Sequence, residues 1–468
     1  MWNLPTFAYP NGERGIFIHT AHMKLLYIIP FIPYPLETGG NQAFFTITDY
    51  VRKQHEVSVI LYVRSSKDEK NIEELRKLWS DVTFHVFRPQ DIQSENDDSS
   101  AFFSHDRVSW LFSKFGRWFG AMHDSMTRKV ERRRRRFAIT ATEAGQKDGV
   151  DFVRSNASLF LPTSDFTPQF CQYVEEVSRK GFDLIQVEFY DYLPMIHLFP
   201  KGVKTVFVHH ELRFVRNENE MSLFKKIRPE DRLLFEKEKA LELSYLAQYD
   251  AVVTLTDIDK QILSQHIPAE RIFVSPAITQ SAAHEHKPFR LATELVFIGS
   301  GYHFPNADAM VWFCKEVLPI VRKKYPKRFK VNILSQWNRH LMSSLTSLAP
   351  EIVFPGYMDD LQSFVNGKVS IVPIRIGSGM RMKILDSIFA ASPIVTTSKG
   401  CEGLPLADNE NCLIADDKEA FADAVVRMLT DPSLQERLAV AAQHSDTGML
   451  DEQEMFDKRM NVYKSLVS

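Results

Sequence analysis

Short apolar runs alternate with amphipathic segments of helical length along most of this chain. In the first half the runs are Leu25–Ile29, Val57–Leu61, Val82–Phe87, Leu184–Phe189, Thr205–His209 and Ala251–Thr256. In the second half they are Leu295–Gly299, Val331–Leu334, Ile352–Phe354, Ser370–Pro373, Ile394–Thr397 and Cys412–Ala415. Their residues are apolar in succession rather than by alternation, the pattern of parallel strands covered on both faces. Between them Phe44–Lys53, Leu233–Ala247, Ala307–Lys324 and Phe421–Leu429 repeat apolar positions at helical spacing and complete βαβ units. The rhythm breaks near residues 276–293. The pattern predicts an α/β protein with two doubly wound domains, residues 23–280 and 281–445. A closing helix is expected within 446–468, with Met455, Phe456, Met460, Val462 and Tyr463 on its apolar positions. Ligands of such sheets bind beyond the carboxyl ends of the strands, and two facing domains would place the site in the cleft between them.

Composition narrows the function. The 468 residues carry a formal net charge of −2, which makes no overall electrostatic case for a nucleic-acid partner. The four cysteines are far apart, so neither a disulfide framework nor a zinc site is expected, and reduced thiols in a cytoplasmic protein are. No apolar run is long enough to span a bilayer. Residues 1–22 lack the features of a signal peptide and read as an N-terminal extension, with Met23 as the natural start.

Residues 90–170 depart from the βα rhythm and read as an insertion in the first domain. Within 101–137, Trp110, Phe115, Trp118, Phe119 and Met122 fall on one helical face. That stretch has ten Lys or Arg against three Asp or Glu, a local net charge of +7. Aromatic anchors beside cations suit an anionic membrane surface, which would make the protein peripheral on the inner face of the membrane. A face packed on its own domain, or a basic run that is merely solvated or binds an anionic polymer, accounts for the same residues.

The most informative segment is Ile371-Val-Pro-Ile-Arg-Ile-Gly-Ser-Gly-Met-Arg-Met-Lys-Ile-Leu-Asp386. A strand ends, the Gly377-Ser378-Gly379 loop opens a helix, and the first turn carries Arg381 and Lys383. Cations are disfavoured beside the positive end of a helix, so their placement breaks a local rule, as functional sites do. Free backbone N–H groups with two cations at a strand end make a pyrophosphate receptor. A tight turn with solvated basic residues is the plainer alternative. Asp386, three residues after Lys383, either accepts from ribose or sugar hydroxyls or pairs with Lys383.

Gly39 and Gly40 follow the first strand and allow close backbone approach. His209, His210 and Glu211 follow the strand near Thr205–Val208, where a histidine can donate to a substrate oxygen. No zinc-ligand spacing accompanies them. The segments beginning at Gly299 and Gly377 both lack the third glycine of a dinucleotide fingerprint, which argues against a nicotinamide oxidoreductase, and no P-loop sequence occurs.

With these motifs in hand, the chain resembles the family 4 glycosyltransferases of the GT-B fold. The similarity rests on the loop at 33–40 and on Phe297-Ile-Gly-Ser, Pro305-Asn-Ala-Asp-Ala-Met-Val-Trp-Phe313, Phe354-Pro-Gly-Tyr357, Gly377–Asp386 and Pro393-Ile-Val-Thr-Thr-Ser-Lys-Gly-Cys-Glu-Gly-Leu404. It implies two Rossmann-like domains, the first for acceptor and the second for donor. It also implies transfer of a sugar from a nucleotide diphosphate sugar, with retention of configuration and no metal or other cofactor. The acceptor would be a glycan or a lipid-linked molecule, in cell-surface polysaccharide or glycoconjugate synthesis.

By position, Gly39, Gly40, Gly299, Gly377, Ser378, Gly379 and Glu402 fall around the donor. Tyr357 and Met358 meet the nucleobase, Arg381 and Lys383 the pyrophosphate, and Asp386 the ribose. His209 or His210 matches the histidine near the reacting centre. Ser378 and Asp386 replace the two glutamates of the family's Glu-x7-Glu motif. Ser300-Gly-Tyr-His-Phe-Pro-Asn306 stands where an Arg…Lys pair is usual. A subgroup with a Gly-Ser-Gly-x-Arg-x-Lys loop is similar to this chain, Arg381 and Lys383 supplying the missing charge. An epimerase of the same fold and a non-catalytic nucleotide-binding subunit stay open as other readings.

Overall fold

The computed structural model describes residues 22–36, 38–89, 151–160, 166–277, 287–445 and 452–467. The extension at 1–21 and the aromatic, basic stretch 101–137 lie outside the described residues.

Two parallel sheets organise the chain. The first has strands β1 (Lys24–Ile28), β2 (Glu56–Tyr62), β3 (Thr83–Phe87), β4 (Leu184–Glu188), β5 (Lys204–His209), β6 (Ala251–Thr254) and β7 (Ile272–Val274) in the order β3-β2-β1-β4-β5-β6-β7. The second has β8 (Glu294–Phe297), β9 (Val331–Leu334), β10 (Ile352–Gly356), β11 (Lys368–Val372), β12 (Ile394–Thr396) and β13 (Leu413–Ile414) in the order β10-β9-β8-β11-β12-β13. All the named pairs are parallel, and helices cover both faces. Each apolar run therefore serves two layers at once: Leu25 and Tyr27 join one cluster, Leu26 and Ile28 the opposite one. This is the GT-B arrangement of two Rossmann-like domains.

Two elements differ from the sequence pattern. Strand β7, three residues at the edge of the first sheet, is not among the expected runs. The helix expected over 307–324 begins at Phe304 and passes through a π-helical turn, Phe313–Val317, before resuming as Leu318–Lys324. Pro319 lacks an N–H and crowds the carbonyl four residues back, so the widened turn absorbs it. The cysteines are unpaired.

The helix Glu452–Val467 leaves the second domain and packs on the first sheet. Phe456 stacks on Tyr50 with ring centroids 3.8 Å apart, and the Tyr463 and Tyr27 hydroxyls lie 3.1 Å apart. The positions expected to be apolar on this helix, Met455, Phe456, Met460, Val462 and Tyr463, are all buried.

Candidate active site

The loops singled out in the sequence open from strands at the centre of each sheet. Gly39 and Gly40 follow β1 and begin the helix Gly39–Val51. His210 and Glu211 follow β5, Gly299 follows β8, and the Gly377–Gly379 loop follows β11. In each sheet the chain reverses its winding direction beside the first-formed strand, β1 or β8, and such switch points leave a crevice at the strand ends. Between the sheets lies a cleft of about 1380 Å³. Gly39, Gly40, His210, Gly299, Tyr357, Met358, Ser378, Arg381, Lys383 and Asp386 all line it. His209, Gly377, Gly379 and Glu402 do not.

The Gly377–Gly379 loop is docked on the first domain. The Gly377 N–H donates to Asn219 Oδ1 at 3.2 Å and the Gly379 N–H to Asp259 Oδ2 at 3.0 Å. Ser378 Oγ accepts from the Leu212 N–H at 2.6 Å. The expectation of free loop N–H groups awaiting a pyrophosphate is therefore corrected: two of them are taken by side chains that only the three-dimensional fold brings near. What faces the cleft is side-chain charge. Gly379 has φ +74°, and a Cβ there would sit 2.0 Å from the His210 carbonyl oxygen. Gly379→Ala is expected to push the loop off His210. At about 1–3 kcal/mol of overpacking, that is roughly tenfold in nucleotide binding. Calorimetric titration checks it, and wild-type affinity would count against the docking.

Arg381 is buried and folds back on its own loop, donating Nη1 to the Ser378 and Gly379 carbonyls. Its Nη2 is buried without a protein partner beside Gly377. Burial pulls the guanidinium below its ordinary value, against the opposing charges of Glu211, Glu402 and Asp259. Lys383, half-buried on the helix Met382–Phe389, donates to Asn306 Oδ1 at 2.5 Å and lies 4.7 Å from the Phe297 ring centre. Burial, then Arg381, lowers it to about 7, with Asp386 resisting. The wall of the cleft thus holds a cation that is charged only part of the time near neutral pH. Asp386 is buried one turn further along the helix.

Glu211 faces these cations from the first domain. Burial alone would raise its carboxyl, but Arg216 above all, with His303, Arg213 and Arg381, holds it down at about 2. Arg216 donates to Glu211 Oε2 at 3.1 Å and to Glu220 Oε1 at 2.9 Å.

The two histidines part company. His209 is 2% exposed and bonds Glu242 Oε1 through Nε2 at 2.7 Å. Glu242 also accepts the Arg213 and Phe214 N–H groups at 2.9 and 2.8 Å, so His209 belongs to the framework of the loop. A reactive role for it has no surface to act through. His210 opens on the cleft, its ring stacked on Phe189 at 3.9 Å and its Nε2 2.7 Å from Glu188 Oε2. Phe189 holds φ +69°, an uncommon strain for a bulky residue, and its ring is what a Cβ on Gly40 would strike. Glu402 pairs with Lys399 at 2.7 Å behind the loop and acts on Arg381 only through its charge. Tyr357 stands on the rim, 53% exposed, after Gly356.

Residues with no assigned role in the sequence reading also meet here: Glu188, Glu211, Arg216, Asn219, Asp259 and Asn306. Only Glu211 carried a visible signal, its place directly after two histidines at a strand end.

Comparison with known proteins agrees with this geometry. Residues 292–431, which span β8 to β13, match the family described as glycosyl transferases group 1. A protein of Klebsiella pneumoniae described as an uncharacterized 44.6 kDa protein in the cps region is 26% identical over 140 residues, 28% of this chain and 36% of that protein. The match therefore spans about a third of that relative. Among solved structures, TarM of S. aureus superposes with TM-score 0.61 at 12% identity, covering 94% of this chain and 98% of its own. Sucrose-phosphate synthase from Thermosynechococcus elongatus also gives 0.61 at 12%, with 95% and 99% covered. Anabaena HepE, solved with UDP and glucose, gives 0.55 at 10%, with 94% and 99% covered. At these identities the likeness establishes the fold.

Proposed function

We propose that the protein is a retaining glycosyltransferase that moves a sugar from a nucleotide diphosphate sugar to a glycan or lipid-linked acceptor, in polysaccharide or glycoconjugate synthesis. The observation that carries the proposal is the cleft itself. Lys383 and Arg381 from one domain and His210 and Glu211 from the other line a single cleft of about 1380 Å³, room enough for a nucleotide sugar.

The leaving nucleotide gains negative charge on its bridging oxygen as the sugar departs. Cations already fixed in the cleft wall stabilise that charge without reorganisation. Gly39 and Gly40 let the donor approach the backbone, Tyr357 and Met358 offer the base a surface, and Asp386 is placed to accept from ribose. His210 lines the same cleft from the first domain. Among the described residues no group of three or more His, Cys, Asp or Glu is arranged for a metal ion. The relative from the cps region and the UDP in HepE and TarM crystals favour polysaccharide chemistry and a UDP donor. Among the described residues no helix is long and apolar enough to cross a membrane. Attachment to an anionic membrane surface through 101–137, on the cytoplasmic side, is part of the same proposal.

The test is a thermal-shift screen of UDP-, GDP-, ADP- and dTDP-sugars, followed by transfer to candidate acceptors in EDTA with the product anomer read by NMR. One donor raising the midpoint and yielding a retained linkage supports the reading. Donor turnover without any acceptor points to the epimerase, and binding without turnover to a nucleotide-binding subunit.

Lys383 gives this reading a pH signature. A bound diphosphate favours the ammonium form, so binding draws a proton onto Lys383. Affinity for a nucleotide sugar, whose diphosphate charge is constant in this range, is expected to fall as pH rises through about 7. The limit is tenfold per pH unit, up to the raised pKa of the complex. Lys383→Arg stays charged and should flatten the dependence. Titration calorimetry from pH 6 to 9 checks both.

A further inference from the structure

His210 is held from behind by a chain of hydrogen bonds that ends on the C-terminal helix. The Tyr463 hydroxyl donates to Gln186 Oε1 at 2.5 Å. Gln186 Nε2 donates to Glu188 Oε1 at 2.6 Å, and Glu188 Oε2 meets His210 Nε2 at 2.7 Å. Tyr463, Gln186 and Glu188 are each at most 1% exposed. None of the three lines the cleft.

The direction of the chain is forced. A carboxylate only accepts, so His210 must present Nε2–H to Glu188, and Gln186 must present its NH₂ end. The Gln186 carbonyl then points away and needs a donor, which is the Tyr463 hydroxyl. Tyr27, 3.1 Å from Tyr463, completes the chain as donor. The imidazole is left with Nδ1 as the nitrogen not engaged by Glu188.

A second contact comes from the same helix. Arg459 is 4% exposed and donates Nε to Ser275 Oγ at 3.1 Å, while its Nη1 has no protein partner. A cavity of about 10 Å³, lined by Arg459, Glu188 and His210, lies between them. That is the space of a single water, and the polar groups to hold one are present.

We propose that the C-terminal helix is part of the reaction apparatus. Tyr463 is a positioning residue that, through Gln186, fixes the Glu188 carboxylate and with it the tautomer and angle of His210; Arg459 lines the small cavity beside them. The inference rests on the glycosyl-transfer reading only for what His210 does once positioned. Without the Tyr463 hydroxyl, the buried Gln186 carbonyl loses its donor. The amide is then free to flip, turning its oxygen onto Glu188 and loosening the histidine.

The experiment compares Tyr463→Phe with Tyr50→Phe, which touches the same helix through Phe456 but stands outside the chain. Histidine ring resonances in ¹⁵N-labelled full-length protein, nucleotide-sugar affinity and kcat are measured for each. Tyr463→Phe alone should move the His210 resonances and lower kcat by about tenfold, the scale on which an outer partner of a fixed histidine is felt. Its affinity should stay within about twofold of wild type, since the cations lie on the other domain. Glu188→Gln, nearly isosteric, should reproduce the change in the ring and serves if Tyr463→Phe folds poorly. Unmoved His210 resonances in both variants overturn the proposal, as does an equal effect of Tyr50→Phe. Shifted resonances in a protein that consumes no nucleotide sugar uphold the positioning role and overturn the transferase reading alone.

Discussion

Lys383→Ala should lower turnover at saturating donor by roughly a hundredfold or more while the protein stays folded. Removing one prearranged charged donor from a site of developing negative charge typically raises the barrier by ~2.7–4 kcal/mol. Lys383 is well placed for an effect of that size, because it is anchored by Asn306 and Phe297 before any ligand arrives. The structural cost is small. The ammonium is only half-buried, and Asn306 keeps its bond to the Ser300 carbonyl at 2.9 Å. Steady-state kinetics beside a thermal melt separates the two effects. Unchanged turnover would remove Lys383 from the chemistry and leave the charge of this loop to Arg381.

Glu242→Ala makes the opposite kind of prediction, large in stability and indifferent to the cleft. Glu242 is 1% exposed and accepts three hydrogen bonds, from the Arg213 and Phe214 N–H groups and from His209. Truncating this buried acceptor strands its three partners, each at about 1–3 kcal/mol. For a domain of this size the melting midpoint should fall by on the order of 10 °C. Nucleotide affinity, measured well below the transition, should be close to wild type. If Glu242→Ala instead abolished turnover with its midpoint intact, His209 would return to the chemistry and its burial would need another explanation.

These two variants mark where the sequence was legible and where it was not. The strands were legible because parallel strands buried on both faces are written as uninterrupted apolar runs. Only β7, at the edge of the first sheet, had no expected run. Arg381 and Lys383 were legible because they offend the helix dipole, a conflict visible without coordinates. The partners of the loop were not. Asn219, Asp259 and Leu212 reach it across 158, 120 and 166 residues, and no local pattern encodes a pairing at that distance. The same limit explains the choice between neighbouring histidines. Both stand at the end of β5, and it is the two glutamates waiting for them, Glu242 under one and Glu188 beside the other, that send one inward and leave the other on the cleft.

The helix Glu452–Val467 also ties the folding of the two domains together. Tyr27 on the first strand and Tyr463 on this helix are separated by 436 residues, with the second sheet between them in the chain. Met455, Phe456 and Met460 complete the apolar cover over β1 and its neighbours. The first sheet can therefore finish its core only once the whole chain, second domain included, has been synthesised. Two sheets that look separable thus share one covering element, and detaching it would lay bare apolar surface on the first.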